Sequence, residues 1–271
     1  MKSASKWIRF VVGWAAALWI FFPILWMLLT SLKSEPQAYA APPVVFFGPT
    51  LENFRLVLAQ SSYARYALNS VYVSCGATVF AMILSIPAAY AMAFRPGRRT
   101  KSLLVWIMST KMMPPVSALV PVYLILGHFA LLDSVASLIA VFAMSNLPIV
   151  LWLVYSYFCE VPHEILEAGR MDGMTPWQEI RYLLLQMSLP GLASTALLSI
   201  VLCWNETFWS INLTSAKAGP LTVFIATFSN PEGLFLAKLS AASILAIAPI
   251  LVFGWIAQKQ LVRGLTFGAV K

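Results

Sequence analysis

Six long apolar runs constrain this chain more than any other feature. They cover roughly residues 10–32, 66–94, 102–127, 135–158, 189–212 and 239–258, and only two contain a formal charge, Lys111 in the third and Glu206 in the fifth. A hydrocarbon layer of about 30 Å takes roughly 20 residues of helix to cross. Backbone amides within it must pair inside their own segment, so runs of this length become helices. No period-two alternation is present, which disfavours a membrane β-barrel. The expected class is an all-α membrane protein with about six transmembrane helices, organised as one domain over 1–271. Composition agrees: 60% of residues are hydrophobic and only 10% charged, against about 25% charged in a soluble domain. Pro23, Pro87, Pro121, Pro148 and Pro249 fall inside the runs and predict kinked spans, as in a packed transport bundle.

The first run is 23 uncharged residues long behind Lys2, Lys6 and Arg9. Secretory apolar regions run about 7–15 residues, so a retained first helix is expected. Placing the N-terminus inside puts twelve Lys and Arg on the inner side (2, 6, 9, 95, 98, 99, 101, 170, 181, 259, 263, 271) and five on the outer (33, 55, 65, 217, 238). The positive-inside rule therefore predicts both termini in the cytoplasm. The net charge of +8 reflects this topology, and nucleic-acid binding is not expected because no basic run lies beside a soluble fold. Cys75, Cys159, Cys203, His128 and His163 share no metal or redox spacing, and no metal or cofactor is expected. His128 and Asp133 fall in a short external turn with no expected role.

One inner segment, 159–188, departs from the basic character of the others. Glu160, Glu164, Glu167, Asp172 and Glu179 against Arg170 and Arg181 give it a net charge of −3. Pro162 suits a first helical turn, Asp172-Gly173 suits a tight turn, and Thr175-Pro176-Trp177-Gln178 carries a capping residue, a first-position proline and a capping-box glutamine. A rigid helix–turn–helix is predicted. Its acidity disfavours lying on an anionic membrane surface and favours docking to a protein.

Glu167-Ala168-Gly169-x-x-Asp172-Gly173, continuing to Leu183-Leu184-Leu185-Gln186, resembles the EAA motif of ABC importer permeases. Gly169 stands where that motif has a second alanine, Leu183 where it has isoleucine, and Gln186 where it has proline; Pro190 matches a later proline of the sugar branch. Trp204-Asn205-Glu206 is similar to an element of carbohydrate permeases. Gln260–Lys271 resembles the terminus of the maltose-type second permease. Ser109-Thr110-Lys111-Met112-Met113-Pro114-Pro115 looks like the sorbitol/mannitol branch.

The resemblance implies an ABC type I importer permease fold in the bacterial inner membrane, serving a sugar or polyol. It implies a second permease as heterodimer partner, two ATPase subunits, and an extracytoplasmic solute-binding protein docking on Lys33–Arg65 and Ser215–Lys238. Glu167, Ala168, Gly169, Asp172 and Gly173 would then couple to the ATPase. The permease would do no covalent chemistry, and the chain has no P-loop.

Substrate-path candidates are Asn205, Glu206, Trp204 and Lys111. Two readings stand for three of them, and Asn205 lies beside Glu206. Glu206 lines a path, or it pairs with another charge or reaches the outer interface. Lys111 lines a path or snorkels. Trp204, with Trp209, stacks on sugar faces or joins an interfacial belt. A secondary transporter without an ATPase is the alternative; it would more often show inverted repeats, and none is visible. A membrane-embedded enzyme lacks a catalytic constellation.

Overall fold

The computed structural model describes residues 2–59, 62–229 and 235–267, with side chains described from Lys6 to Trp255 apart from Ile8. Lys259, Arg263, Lys271 and the Gln260–Lys271 resemblance fall outside the described side chains. The regular structure of the described residues is all helical, with no strand; its shorter elements include α2 (Glu35–Ala38), α3 (Glu52–Ala59) and α13 (Leu221–Ala226). Four helices are long and apolar enough to cross a membrane: Arg9–Ser31 within α1 (Lys2–Ser31), α4 (Tyr63–Phe94), α7 (Val135–Cys159) and Leu236–Trp255 within α14 (Leu236–Phe267). Two bent pairs raise the number to six if each is one span. They are α5 (Thr100–Thr110) with α6 (Pro115–His128), bent by 86°, and Pro176–Met187 with α11 (Leu189–Trp204), bent by 84°.

The third apolar run is thus two helices rather than one. Its break falls at Pro114-Pro115, not at the interior prolines. Pro114 is extended (φ −58°, ψ 129°), as a residue preceding proline prefers, and Pro115 opens α6 at the first position, where its missing N–H costs nothing. Pro23, Pro87, Pro121, Pro148 and Pro249 lie inside continuous helices. The fifth run breaks too: α11 ends at Trp204, and α12 (Phe208–Leu213) begins three residues beyond Asn205. Asn205 bonds back to the Val201 carbonyl (Nδ2–O 2.8 Å), competing with continuation of the helix.

The chain groups into two compact units, Met1–Ala64 with Phe224–Ala248, and Arg65–Val223 with Pro249–Lys271. In the first, Asn53 Nδ2 donates to the carbonyls of Ser31 (2.8 Å) and Lys33 (2.7 Å). Glu35 accepts from the Ala237 and Lys238 amides (3.0 and 3.1 Å), capping α14. Helix α1 is apolar all round and exposed along its span, as suits a helix solvated by lipid.

The second unit packs α4, α7 and α11 around a core that includes Val73, Ala77, Ala81, Leu138, Phe142, Val154 and Leu192. Small buried residues recur along α4 at Ser70, Ser74, Ala77, Ala81, Ser85 and Ala89. Membrane helices associate through such close backbone approach, since lipid removes the hydrophobic drive between them. Thr78 Oγ1 donates to Ser199 Oγ across α4 and α11 (3.0 Å). Closest of all is Gly191 on α11, where a Cβ would sit 2.5 Å from the Tyr157 ring of α7. Gly191→Ala is therefore expected to force the two helices apart at a cost of about 1–3 kcal/mol, read as a lower unfolding temperature of the purified protein in detergent.

Candidate functional sites: a hairpin and a cavity at two helix breaks

The hairpin forms with the turn and capping box its sequence predicts, and Pro162 precedes the first turn of the first arm rather than lying in it. Helix α8 (His163–Met171) ends at Asp172, Gly173 turns with φ +81°, and Thr175 caps α9 (Pro176–Gln178). The capping box is complete: Gln178 Oε1 accepts from the Thr175 amide (2.7 Å) and hydroxyl (3.0 Å). A π-helical turn, Glu179–Leu184, and α10 (Leu185–Met187) carry the second arm to the bend at Ser188. Helix α8 faces inward with Leu166 and Gly169. Glu164, Glu167, Ala168, Met171, Asp172 and Gly173 are exposed, as is Trp177. Met171 is 88% and Trp177 64% exposed, an apolar pair set among carboxylates.

Gly169 and Leu183, both departures from the EAA pattern, face one another. A Cβ on Gly169 would lie 3.1 Å from Leu183 Cδ1 and from Met174 Sδ, so glycine there accommodates the longer leucine opposite.

Sequence reasoning gave no role to the group that fixes the hairpin. Glu179 is wholly buried, and its carboxylate accepts Arg170 Nε on Oε1 (3.0 Å) and Arg170 Nη2 (3.2 Å) and the Tyr90 hydroxyl (2.9 Å) on Oε2. The charge balance of the loop flagged both ions, but only the fold brings Tyr90 of α4 to them. The Glu179 carboxylate and Tyr90 hydroxyl also favour the charged guanidinium, holding the Arg170 pKa above its ordinary value.

At the two helix breaks lies a cavity of about 430 Å³. Its wall includes Thr110, Lys111 and Met113 from the first break and Glu206 and Trp209 from the second. Lys111 Nζ donates to the Ser145 carbonyl (2.9 Å) and Asn146 Oδ1 (3.2 Å). Glu206 Oε1 accepts from the Trp209 amide (3.3 Å), capping α12. No salt bridge joins the two ions among the described residues. Of the substrate-path candidates, Lys111 and Glu206 meet here. Trp204 is buried and Asn205 bonds within its own helix; neither lines this cavity. Irregular backbone at membrane depth is tolerated where it borders such a cavity.

Asp133, for which no role was expected, organises the turn opposite. Held at φ +54°, its carboxylate accepts the amides of Ser215, Ala216, Lys217 and Ala218 and the Ser215 hydroxyl, at 2.9 to 3.1 Å. Burial alone would raise its pKa. The hydrogen bonds from Ala218, Ser215 and Lys217 outweigh that and hold it well below the usual carboxylate range.

Apolar spans, two broken helices bordering a mostly apolar cavity that holds Lys111 and Glu206, and a capped hairpin define a multi-pass membrane transport component. The chain belongs to the inner membrane components of binding-protein-dependent transport systems, a family it matches over residues 85–266. A probable ABC transporter permease of Sinorhizobium fredii is 31% identical over 95% of this chain and 93% of its own length. The trehalose transport permease of Mycobacterium tuberculosis is 31% identical over 96% and 94%. Among solved structures, a bacterial ABC transporter importing the acidic polysaccharide alginate has the same fold, with a TM-score of 0.78 at 21% identity over 95% of this chain and 96% of that one. The protein is thus an inner membrane permease subunit of a binding-protein-dependent ABC transporter. This membership excludes the secondary-transporter alternative.

Proposed function

We propose that the chain passes a neutral sugar or polyol through the cavity at the two helix breaks, with a sorbitol- or mannitol-like solute favoured. The observation that carries this reading is the meeting of Lys111 and Glu206 on one cavity wall. Lys111 commits two of its three donors to Ser145 and Asn146, leaving one for a ligand. Glu206 presents a carboxylate that accepts hydrogen bonds. Sugar hydroxyls both donate and accept, so a polyhydroxylated solute satisfies both groups. The two charges sum to zero, which favours an uncharged solute over an acidic one. The stretch Ser109–Pro115 that resembles the sorbitol/mannitol branch supplies Lys111, Met113 and Pro115 to the same wall.

The exposed residues Glu167, Ala168, Asp172 and Gly173, with Gly169 buried beneath them, form the coupling surface on which an ATPase subunit docks. Both termini lie in the cytoplasm with the hairpin. A second permease completes the path, a second ATPase subunit serves it, and a solute-binding protein delivers the solute to the opposite face. ATP-driven closure of the ATPase pair moves the hairpins and converts nucleotide binding into alternating access.

The test is uptake by the reconstituted complex over a panel of labelled sugars and sugar alcohols. Lys111→Met and Glu206→Gln are each expected to raise the apparent KM for the transported solute about tenfold, the worth of one hydrogen bond to a charged group. Unchanged KM in both variants overturns the assignment of the cavity.

A further inference from the structure

We infer that the Tyr90–Glu179–Arg170 cluster is the junction through which the hairpin drives α4, and through α4 the loop on the opposite face. The inference rests on the reading of the hairpin as the coupling surface. It adds a second route of transmission and assigns positioning roles to three residues.

The hairpin joins its neighbours covalently through α7 on one side and α11 on the other. The second join passes through the 84° bend at Ser188, whose buried hydroxyl has no partner. A bend of this kind absorbs movement. The cluster bypasses it. Arg170 sits on the first arm and Glu179 on the second, so their two-pronged contact fixes the angle between the arms. Tyr90 extends the same carboxylate contact to α4, which is remote in sequence from both arms.

The π turn makes this possible. It brings Glu179, Ile180 and Leu184 inward together, and π turns recur where a helix register is adjusted for function. Phe94 packs edge-on against His163 of the first arm (5.2 Å) and alongside Phe158 of α7 (6.4 Å), closing the joint around the carboxylate. Hairpin and α4 are therefore joined by directional bonds that are either made or broken.

The other end of α4 is also fastened. Asn69 Nδ2 donates to the carbonyls of Lys217 (2.8 Å) and Gly219 (3.0 Å), and Ser70 Oγ accepts from the Leu221 amide (2.7 Å). This is the segment that Asp133 anchors. From Ser70 to Tyr90 the helix rises about 30 Å at 1.5 Å per residue, the thickness of the hydrocarbon layer. A single helix thus links the hairpin to the loop on the far side, and a rigid helix with a contact at each end carries displacement between them.

The experiment uses the complete complex in lipid, measuring ATP hydrolysis with and without solute-loaded binding protein, and solute moved per ATP. Tyr90→Phe removes one hydroxyl and leaves the Arg170–Glu179 pair in place. Expected are unchanged assembly and unstimulated hydrolysis, an unfolding temperature lowered by the loss of one buried hydrogen bond, and stimulation by the binding protein and solute per ATP both reduced about fivefold, the lower end of site-to-site coupling. Unchanged stimulation and stoichiometry overturn the inference. Should Tyr90→Phe assemble poorly, Arg170→Lys decides in its place: it keeps the charge and loses the two-pronged contact, and the same reduction supports the junction while unchanged stimulation overturns it. Glu167→Lys is run in parallel. If it strips the ATPase while Tyr90→Phe changes nothing, only the junction fails; if it leaves the ATPase bound and uptake normal, the coupling reading beneath it fails.

Discussion

Glu167→Lys is expected to abolish uptake while leaving the protein inserted, folded and at its normal level in the membrane. Glu167 is exposed on α8, beside Ala168 and one turn before Met171, on the face that the rest of the hairpin does not cover. A charge change at such a position alters folding stability by no more than about 0.5 kcal/mol, because Leu166, Gly169 and the Arg170–Glu179 pair, which fix the hairpin, are untouched. Docking is affected differently. The hairpin exposes the carboxylates Glu164, Glu167 and Asp172 together with the large apolar Met171 and Trp177, the residue types through which a few positions dominate binding. A partner surface complementary to these carboxylates would be basic; placing an ammonium at Glu167 then sets like against like, and such juxtaposition costs several kcal/mol. The measurement is uptake in cells lacking the native copy, with membrane level followed by immunoblot and ATPase retention by co-purification. Normal uptake at normal subunit levels removes the coupling role.

The hairpin was legible because each of its signals is local. Pro162, Asp172-Gly173 and the Thr175–Gln178 box act within four residues of themselves, so the sequence window that contains them also contains their partners. The long spans were legible for a related reason: crossing lipid requires a run of fixed length. What escaped was non-local or depended on competition between similar signals. Eight prolines lie in the six apolar runs, at 23, 87, 114, 115, 121, 148, 190 and 249, and composition does not rank them. Only the tandem Pro114-Pro115 breaks its run, because the first is forced extended and the second restarts a helix. Asn205 and Glu206 are adjacent candidates in sequence, with Glu206 open between path, ion pair and interface. Asn205 ends one helix and Glu206 caps the next, so one side chain serves the backbone and the other reaches the cavity. Tyr90 offered no sign at all. An aromatic residue in an apolar run is ordinary, and its hydroxyl matters only because a carboxylate 89 positions away is folded against it.

Asp133→Ala is expected to release the turn at 215–218 and to cost about 2–4 kcal/mol of local stability, several hydrogen bonds to a charged acceptor at about 1.5–3 kcal/mol each, discounted because water reaches part of the site. Alanine leaves four backbone amides of one short segment to find water together, and it also removes the side chain that tolerates φ +54° most readily. Asparagine tests the charge separately: it keeps the shape and the conformational tolerance but offers one carbonyl oxygen for five donors. Acid acts on the same contact with a sign fixed by the depressed pKa. A carboxylate held below its unfolded value contributes stability that is fully present above the ordinary value of about 3.9 and is lost as pH falls through the depressed one. The wild-type turn should therefore resist limited proteolysis unchanged from neutral pH down to about pH 4 and loosen only below that, while Asp133→Ala should be cleaved readily at every pH. Because Asn69 of α4 bonds to the carbonyls of Lys217 and Gly219 in this same segment, loosening the turn also frees one end of the helix whose other end meets the hairpin. The variant should then respond less to the binding protein while its unstimulated ATP hydrolysis stays normal. Equal cleavage of variant and wild type at neutral pH would mean that the contacts around Asp133 leave the turn no firmer than solvent does.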